Sequence, residues 1–215
     1  MSSRVLLVRH GDTPSTKGDR FTGSVDIPLS PEGRIHASEL ATRLARYPIN
    51  AIYSSGLQRA IGTATFIAQV HGLEVTPIRE FNEVDHGSWN GHTRAEVTEF
   101  DPQGVVEYDR DPFNFKPQGG ESGQDVVNRA VPAMQQLVRT HPDQHIVVVA
   151  HKSTNRLMIA YFLNLELRRF RDKLGQRPAC LNVLQFYSDT EAQLLLLNDI
   201  SHYQMVAEPD WPYAV

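Results

Sequence analysis

Apolar residues along this chain fall into two alternating textures: short, nearly unbroken runs, and longer stretches where they recur every three or four positions. The runs lie at 5–8, 51–53, 146–150, 181–186 and 193–197. Runs this short, rich in β-branched residues and bounded by polar ones, predict buried strands. The periodic stretches predict helices. Ala37, Leu40, Ala41, Leu44 and Ala45 share one face, opened by Ser30 as cap and Pro31 as first helical residue. Leu57, Ala60, Ile61, Ala64, Ile67 and Ala68 repeat that spacing up to Gly72, with Ser54 and Ser55 as candidate caps. Val127, Ala130, Val131, Met134, Leu137 and Val138 mark a third helix, which Pro132 is expected to kink or to limit at its first turn. A fourth begins after His151 and carries Leu157, Met158, Tyr161 and Phe162.

Strands alternating with helices predict an α/β fold, a three-layer α/β/α sandwich around a mainly parallel sheet. The turn near 188–190 is too short for a crossover, so the last two runs predict a hairpin and one antiparallel edge strand. From about 80 to 122 the texture turns polar and rich in glycine and proline, with a weak helix near 93–100. This stretch is read as a capping insertion within a single domain spanning 1–215. The tail at 208–213 is read as irregular packed chain.

Composition narrows the classes. With 215 residues, 40 % hydrophobic and 21 % charged, the chain is ordinary globular material. The formal charge of -4 is spread along it with no basic face, which argues against a nucleic-acid partner. A single cysteine, Cys180, excludes a disulfide framework and a cysteine zinc cluster, and reads as a small buried side chain. The first apolar run is too short for a signal peptide or a membrane span, so a cytoplasmic location without a membrane partner is expected.

The candidate chemistry sits at the ends of the predicted strands. Arg9-His10-Gly11 follows the first, Arg59 falls in the first helical turn after the second, and His151 follows the run at 146–150. Parallel strands place these ends on one edge of the sheet, where open α/β sheets bind ligands. Two arginines and two histidines near helix N-termini suit a dianion, because guanidinium and backbone N–H groups both donate to phosphate oxygens.

Arg9-His10-Gly11-Asp12-Thr13, Asp26 through Gly33, Ser54 through Ala60 with Thr63-Ala64, Glu83 through Gly91, Gly119 through Ser122 and Val147 through His151 occur in a recognisable order. From residue 4 to about 202 the chain resembles the histidine phosphatase superfamily, with its phosphoglycerate-mutase-like fold. The resemblance implies that His10 takes the phosphoryl group as a phosphohistidine and that Arg9, Arg59 and His151 hold its equatorial oxygens. Glu83 would protonate the leaving alcohol and then serve as base for water. It implies no metal ion and no cofactor. Gly11, Thr16, Thr22, His86, Lys152 and His202 are expected to contact the substrate, a small-molecule phosphomonoester.

Three of these positions depart from the family. Ser15-Thr16 stands where a Trp-Asn pair is usual, and Thr16 offers a single hydroxyl. Thr22 stands where glutamine is common. Lys152 replaces a small residue after His151, adding an ammonium that either strengthens anion binding or, as favoured here, faces solvent.

Hydrolysis is favoured over mutase-type transfer, because residues 91–119 carry only Arg94, Arg110 and Lys116 against six carboxylates. His86 and His202 are similar to histidines that read the substrate carboxylate in the metal-independent phosphoserine phosphatases of this superfamily. Phosphoserine, phosphoglycerate-type sugar acids and α-ribazole phosphate stay open as substrates. A non-catalytic phospho-ligand-binding relative would be expected to lack His10, Glu83 or His151, all of which are present. A metal hydrolase would need a His-Glu-x-x-His helix or clustered ligands, which the nine histidines do not form in sequence. A homodimer through an edge strand is compatible with the pattern and not required by it.

Overall fold

The computed structural model describes residues 2–15 and 20–204, so Thr16 and the tail at 208–213 lie outside the described residues. Six strands form one sheet in the order β3-β2-β4-β1-β5-β6. They are β1 (Ser3–Arg9), β2 (Ala51–Ser54), β3 (Val75–Pro77), β4 (His145–Ala150), β5 (Leu181–Phe186) and β6 (Ala192–Asp199). The central pair explains the unbroken apolar runs, since both faces of a central parallel strand are covered. Val5 and Leu7 of β1, with Ile146, Val148 and Ala150 of β4, face one core. Leu6 and Val8, with Val147 and Val149, face the other.

Helices α1 (Pro31–Leu44) and α2 (Gln58–His71) close the second core. Helix α5 (Gly123–Thr140), helix α6 (Lys152–Phe162) and the single turn α7 (Phe170–Lys173) that follows it close the first. Helix α5 runs through Pro132, which lies on its exposed side while Val131 and Met134 anchor the buried side.

β1 to β4 are mutually parallel; β5–β6 is the antiparallel hairpin that the short turn predicts, and β1–β5 is antiparallel as well. β6 forms the rim and β5 is the strand that runs against the others. β3 escaped the sequence reading because three residues, paired only with β2, carry no period. The capping of α2 differs from expectation. Ser54 ends β2, and α2 opens after Leu57 without a side-chain cap of its own. Asp26 from a distant loop accepts the Gln58 N–H at 2.8 Å and fills that role.

The stretch after β3 holds two short 3₁₀ turns, helix α3 (Arg94–Phe100) and helix α4 (Pro102–Arg110). Thr93 and Glu96 form a capping box on α3. Trp89, Val97 and Val105 make a small core of their own, against which Phe21, Tyr108 and Phe115 pack. The fully buried Trp89 indole donates to Asp101 at 2.9 Å, so its one polar group is satisfied. On the opposite side of the site, the loop leaving β1 lies directly on the first turn of α1. A Cβ on Gly33 would stand 2.1 Å from the Asp12 carbonyl oxygen, a contact only glycine permits.

Candidate active site

His10 is buried, and its Nδ1 lies 2.7 Å from the Gly11 carbonyl oxygen. A carbonyl only accepts, so Nδ1 carries the proton and Nε2 keeps its lone pair. Burial holds the imidazole pKa well below its ordinary value, and the Arg9 and Arg59 guanidiniums push it the same way. His10 is therefore a neutral imidazole with its Nε2 lone pair free.

The two arginines are fixed differently. Arg59, 1 % exposed, donates from Nη1 to the Val25 carbonyl at 2.7 Å and from Nη2 to the Gly23 carbonyl at 2.8 Å. Its Nε donates to His151 Nδ1 at 3.2 Å. Arg9 donates from Nη1 to the Gln176 carbonyl at 2.6 Å, while its Nε is a buried donor without a partner among the described residues. Buried guanidinium donors are costly to leave unmade, and an oxyanion is the group that satisfies them.

Because Arg59 donates to its Nδ1, His151 carries its proton on Nε2 and gives it to Ser55 Oγ at 2.6 Å. This is where the Ser55 hydroxyl is used. The His151 ring centroid is 5.0 Å from that of His10, but the residue is fully buried and does not reach the wall of the cleft. It stands behind His10 and Arg59 with both ring nitrogens engaged by protein.

Glu83 is held at the N-terminus of α6. Oε1 accepts from the Thr154 N–H and hydroxyl, each at 3.2 Å, and Oε2 accepts from the Ser153 N–H at 3.2 Å. Arg129 fastens the segment from behind, donating to the Glu80, Asn82 and Glu83 carbonyls and pairing with Glu121 at 2.8 Å. Arg129 is a positioning residue that the sequence reading missed.

These groups open onto a cleft of about 250 Å³. Arg9, His10, Arg59 and Glu83 line it together, joined by Thr22, His86 and Lys152. Lys152 is exposed, yet it borders the cleft rather than open solvent alone. His86 is buried against Phe21 at 5.0 Å, and burial lowers its pKa, so it enters the cleft as a neutral ring.

Two expected contacts are not brought there. The Gly11 N–H donates to Thr63 Oγ1 at 3.0 Å, and Gly11 itself is pressed against Gly33. His202 stays off the cleft because the chain leaving β6 turns toward α1. There Asp199 pairs with Arg43 at 2.6 Å and Tyr203 stacks on His36 at 3.9 Å.

Side chains the sequence reading did not place also line the cleft, notably Arg20, Tyr108, Arg156 and Arg171. Counting charge over 91–119 therefore leaves out cations that α6 and α7 supply. Arg156 lies four residues after Lys152, a same-face spacing that was readable once α6 was placed. Cys180 is fully buried, and burial pushes its thiol up to about 11, so it stays protonated. Among the described residues no group of three His, Cys, Asp or Glu side chains is disposed to hold a metal ion, and no helix is long and apolar enough to cross a membrane.

The buried histidines make folding stability pH-dependent. The folded chain refuses protons at His10, His86 and His151, and at His202, whose pKa burial lowers to about 4. The unfolded chain binds them near pH 6.5, so this stability is full above that value and is lost as pH falls toward 4. The urea midpoint is expected to be lower at pH 5.0 than at pH 7.5; an unchanged midpoint would contradict neutral burial of these rings.

Comparison with known proteins agrees with the geometry. Residues 5–200 match the histidine phosphatase superfamily (branch 1). Phosphoserine phosphatase 1 of Hydrogenobacter thermophilus is 35 % identical over 167 residues, covering 78 % of this chain and 79 % of that protein. Glucosyl-3-phosphoglycerate phosphatase of Mycolicibacterium vanbaalenii is 33 % identical over 169 residues, 75 % of each chain. The solved structure of Bacillus stearothermophilus YhfR superposes with a TM-score of 0.87 at 26 % identity, over 93 % of this chain and 98 % of that one. With a site built from two arginines around a neutral histidine, and with these likenesses, the chain belongs to branch 1 of the histidine phosphatase superfamily.

Proposed function

We propose that this phosphomonoester hydrolase works through a phosphohistidine on His10 Nε2 and acts on a small acidic metabolite. The observation that carries the reading is the His10 tautomer, which leaves Nε2 unprotonated in a cleft lined by the Arg9 and Arg59 guanidiniums. Nε2 attacks phosphorus and the bond to the leaving oxygen breaks, with Glu83 supplying the proton that makes it an alcohol. Water then attacks the phosphohistidine, Glu83 takes its proton, and phosphate leaves with His10 restored. Charge develops on the equatorial oxygens in both steps, and Arg9 and Arg59 meet it with positive charge already in place.

An acidic substrate is supported by the basic lining of the cleft and by the relatives named for phosphoserine and glucosyl-3-phosphoglycerate, both of which carry a carboxylate. A cytoplasmic setting belongs to the same proposal, since such charged phosphoesters do not cross membranes unaided. The test is phosphate release from L-phosphoserine, 3-phosphoglycerate and p-nitrophenyl phosphate, with and without EDTA. Chelator-resistant release, faster on the acidic metabolites, is expected. Vanadate binding without any turnover would replace this reading with a non-catalytic binder, and loss of turnover with EDTA would overturn the mechanism.

A further inference from the structure

The cleft carries more positive charge than one phosphoryl group requires. Among the described residues, seven lysine and arginine side chains line it against one carboxylate, Glu83. Arg9 and Arg59 belong to the phosphoryl site. Arg20 and Arg94 have carboxylate partners in Glu96 and Asp109. Lys152, Arg156 and Arg171 remain.

These three form an outer tier built by α6 and α7. Lys152 and Arg156 stand one helical turn apart, and the Arg156 Nε donates to the Leu174 carbonyl at 2.5 Å, which sets the plane of its guanidinium. Arg171 sits over the Tyr108 ring, 4.4 Å from its centroid, and its Nη1 is buried without a partner among the described residues. The carboxylate within 4 Å of it among the described residues, Asp109, is 3.9 Å away and already paired with Arg94. Neither Lys152 nor Arg156 has an ion pair among the described residues. Burial lowers the pKa of both, and repulsion from neighbouring guanidiniums adds to it, so the tier is crowded with like charge. An anion placed among them relieves that repulsion and satisfies the buried Arg171 donor.

We infer that Lys152, Arg156 and Arg171 form an outer subsite for a second oxyanion of the substrate, a carboxylate or phosphate distinct from the phosphoryl group transferred to His10. The inference rests on the hydrolase reading for its reaction but not for its binding. It also moves the reading of substrate charge away from His86, which is neutral, and from His202, which lies elsewhere. The specificity of this member is thus written in α6 and α7.

Two matched pairs of compounds test it. Glycerol 3-phosphate and 3-phosphoglycerate differ by a carboxylate, and fructose 6-phosphate and fructose 1,6-bisphosphate differ by a phosphate. Binding to the His10→Ala protein is measured by calorimetry, and kcat/KM is measured on the native enzyme. The more anionic member of at least one pair is expected to bind about tenfold tighter or better, a preference of 1.4 kcal/mol. The pair that shows it identifies the oxyanion.

Arg156→Gln and Lys152→Gln should each shrink that preference to about twofold, acting on KM more than on kcat. Lys152→Gln, at an exposed helix position, covers the case in which losing the Leu174 contact loosens α7. No preference in either pair would overturn the subsite. So would variants that weaken all four compounds and p-nitrophenyl phosphate equally, because the cations would then serve the transferred phosphoryl group alone. Preferential binding without any hydrolysis by the native enzyme would keep the subsite and discard the hydrolase reading.

Discussion

Replacing His10 with alanine is expected to lower phosphate release by a factor of about 10⁴ or more, with the fold intact. Among the described residues no other group on the cleft offers an unprotonated nitrogen beside both guanidiniums. The structural cost is small by comparison. Among the described residues His10 makes one side-chain hydrogen bond, to the Gly11 carbonyl. Its backbone bonds to Ala150 and Ala179, both at 3.0 Å, do not depend on the side chain. A stability change of about 1 kcal/mol is expected, typical of a single substitution. The checks are steady-state phosphate release, thermal melting, and capture of an acid-labile phosphoenzyme in the native protein that the variant does not form. Residual activity above a hundredth of native would remove His10 from the role of nucleophile.

Arg59→Met should damage activity and stability together. The methionine keeps much of the stem and loses every donor. The Gly23 and Val25 carbonyls and His151 Nδ1 are then left without their partner. Breaking such a buried, charge-assisted set costs about 3 kcal/mol. Loss of a preorganised donor to the developing phosphoryl charge costs about 10²–10³ in kcat/KM. The loop at 23–25 is held through the same guanidinium, so the variant should also make that loop more sensitive to proteolysis. Urea denaturation and kinetics on one preparation decide the matter. A protein as stable as the native one but inactive would show that the carbonyl contacts do not carry the loop. Arg59→Lys is expected to recover little, because a point ammonium cannot bridge two carbonyls and a ring nitrogen at once.

Which parts of this site could be read in sequence follows from how local their causes are. Strands β1 and β4 were legible because burial on both faces forces an uninterrupted apolar run. That fixed where Arg9, His10 and His151 leave the sheet. Arg59 and Glu83 followed from segments whose order matched a known family. Three things were not legible. The depth of His151 depends on Arg59 Nε reaching its ring, a contact across 92 positions. The absence of His202 from the cleft depends on the direction taken after β6, which Arg43 and Tyr203 decide through partners far away in sequence. Of the outer cations, Arg171 depends on α7, a helix of four residues that no period announces. Arg129 was hidden for a similar reason, since its exposed-looking helix position conceals three backbone contacts to the segment carrying Glu83.

The reacting groups and the outer cations hang from different parts of the scaffold. His10 stands at the end of β1, and Arg59 is locked in the first turn of α2 to the Gly23 and Val25 carbonyls and to His151. Lys152, Arg156 and Arg171 stand on the cleft side of two helices whose buried sides carry the packing. Exchange of those three leaves the sheet and its strand ends untouched. A lineage with this architecture can therefore change its diet without relearning its chemistry, and laboratory selection for a new phosphoester should find its first gains on α6 and α7.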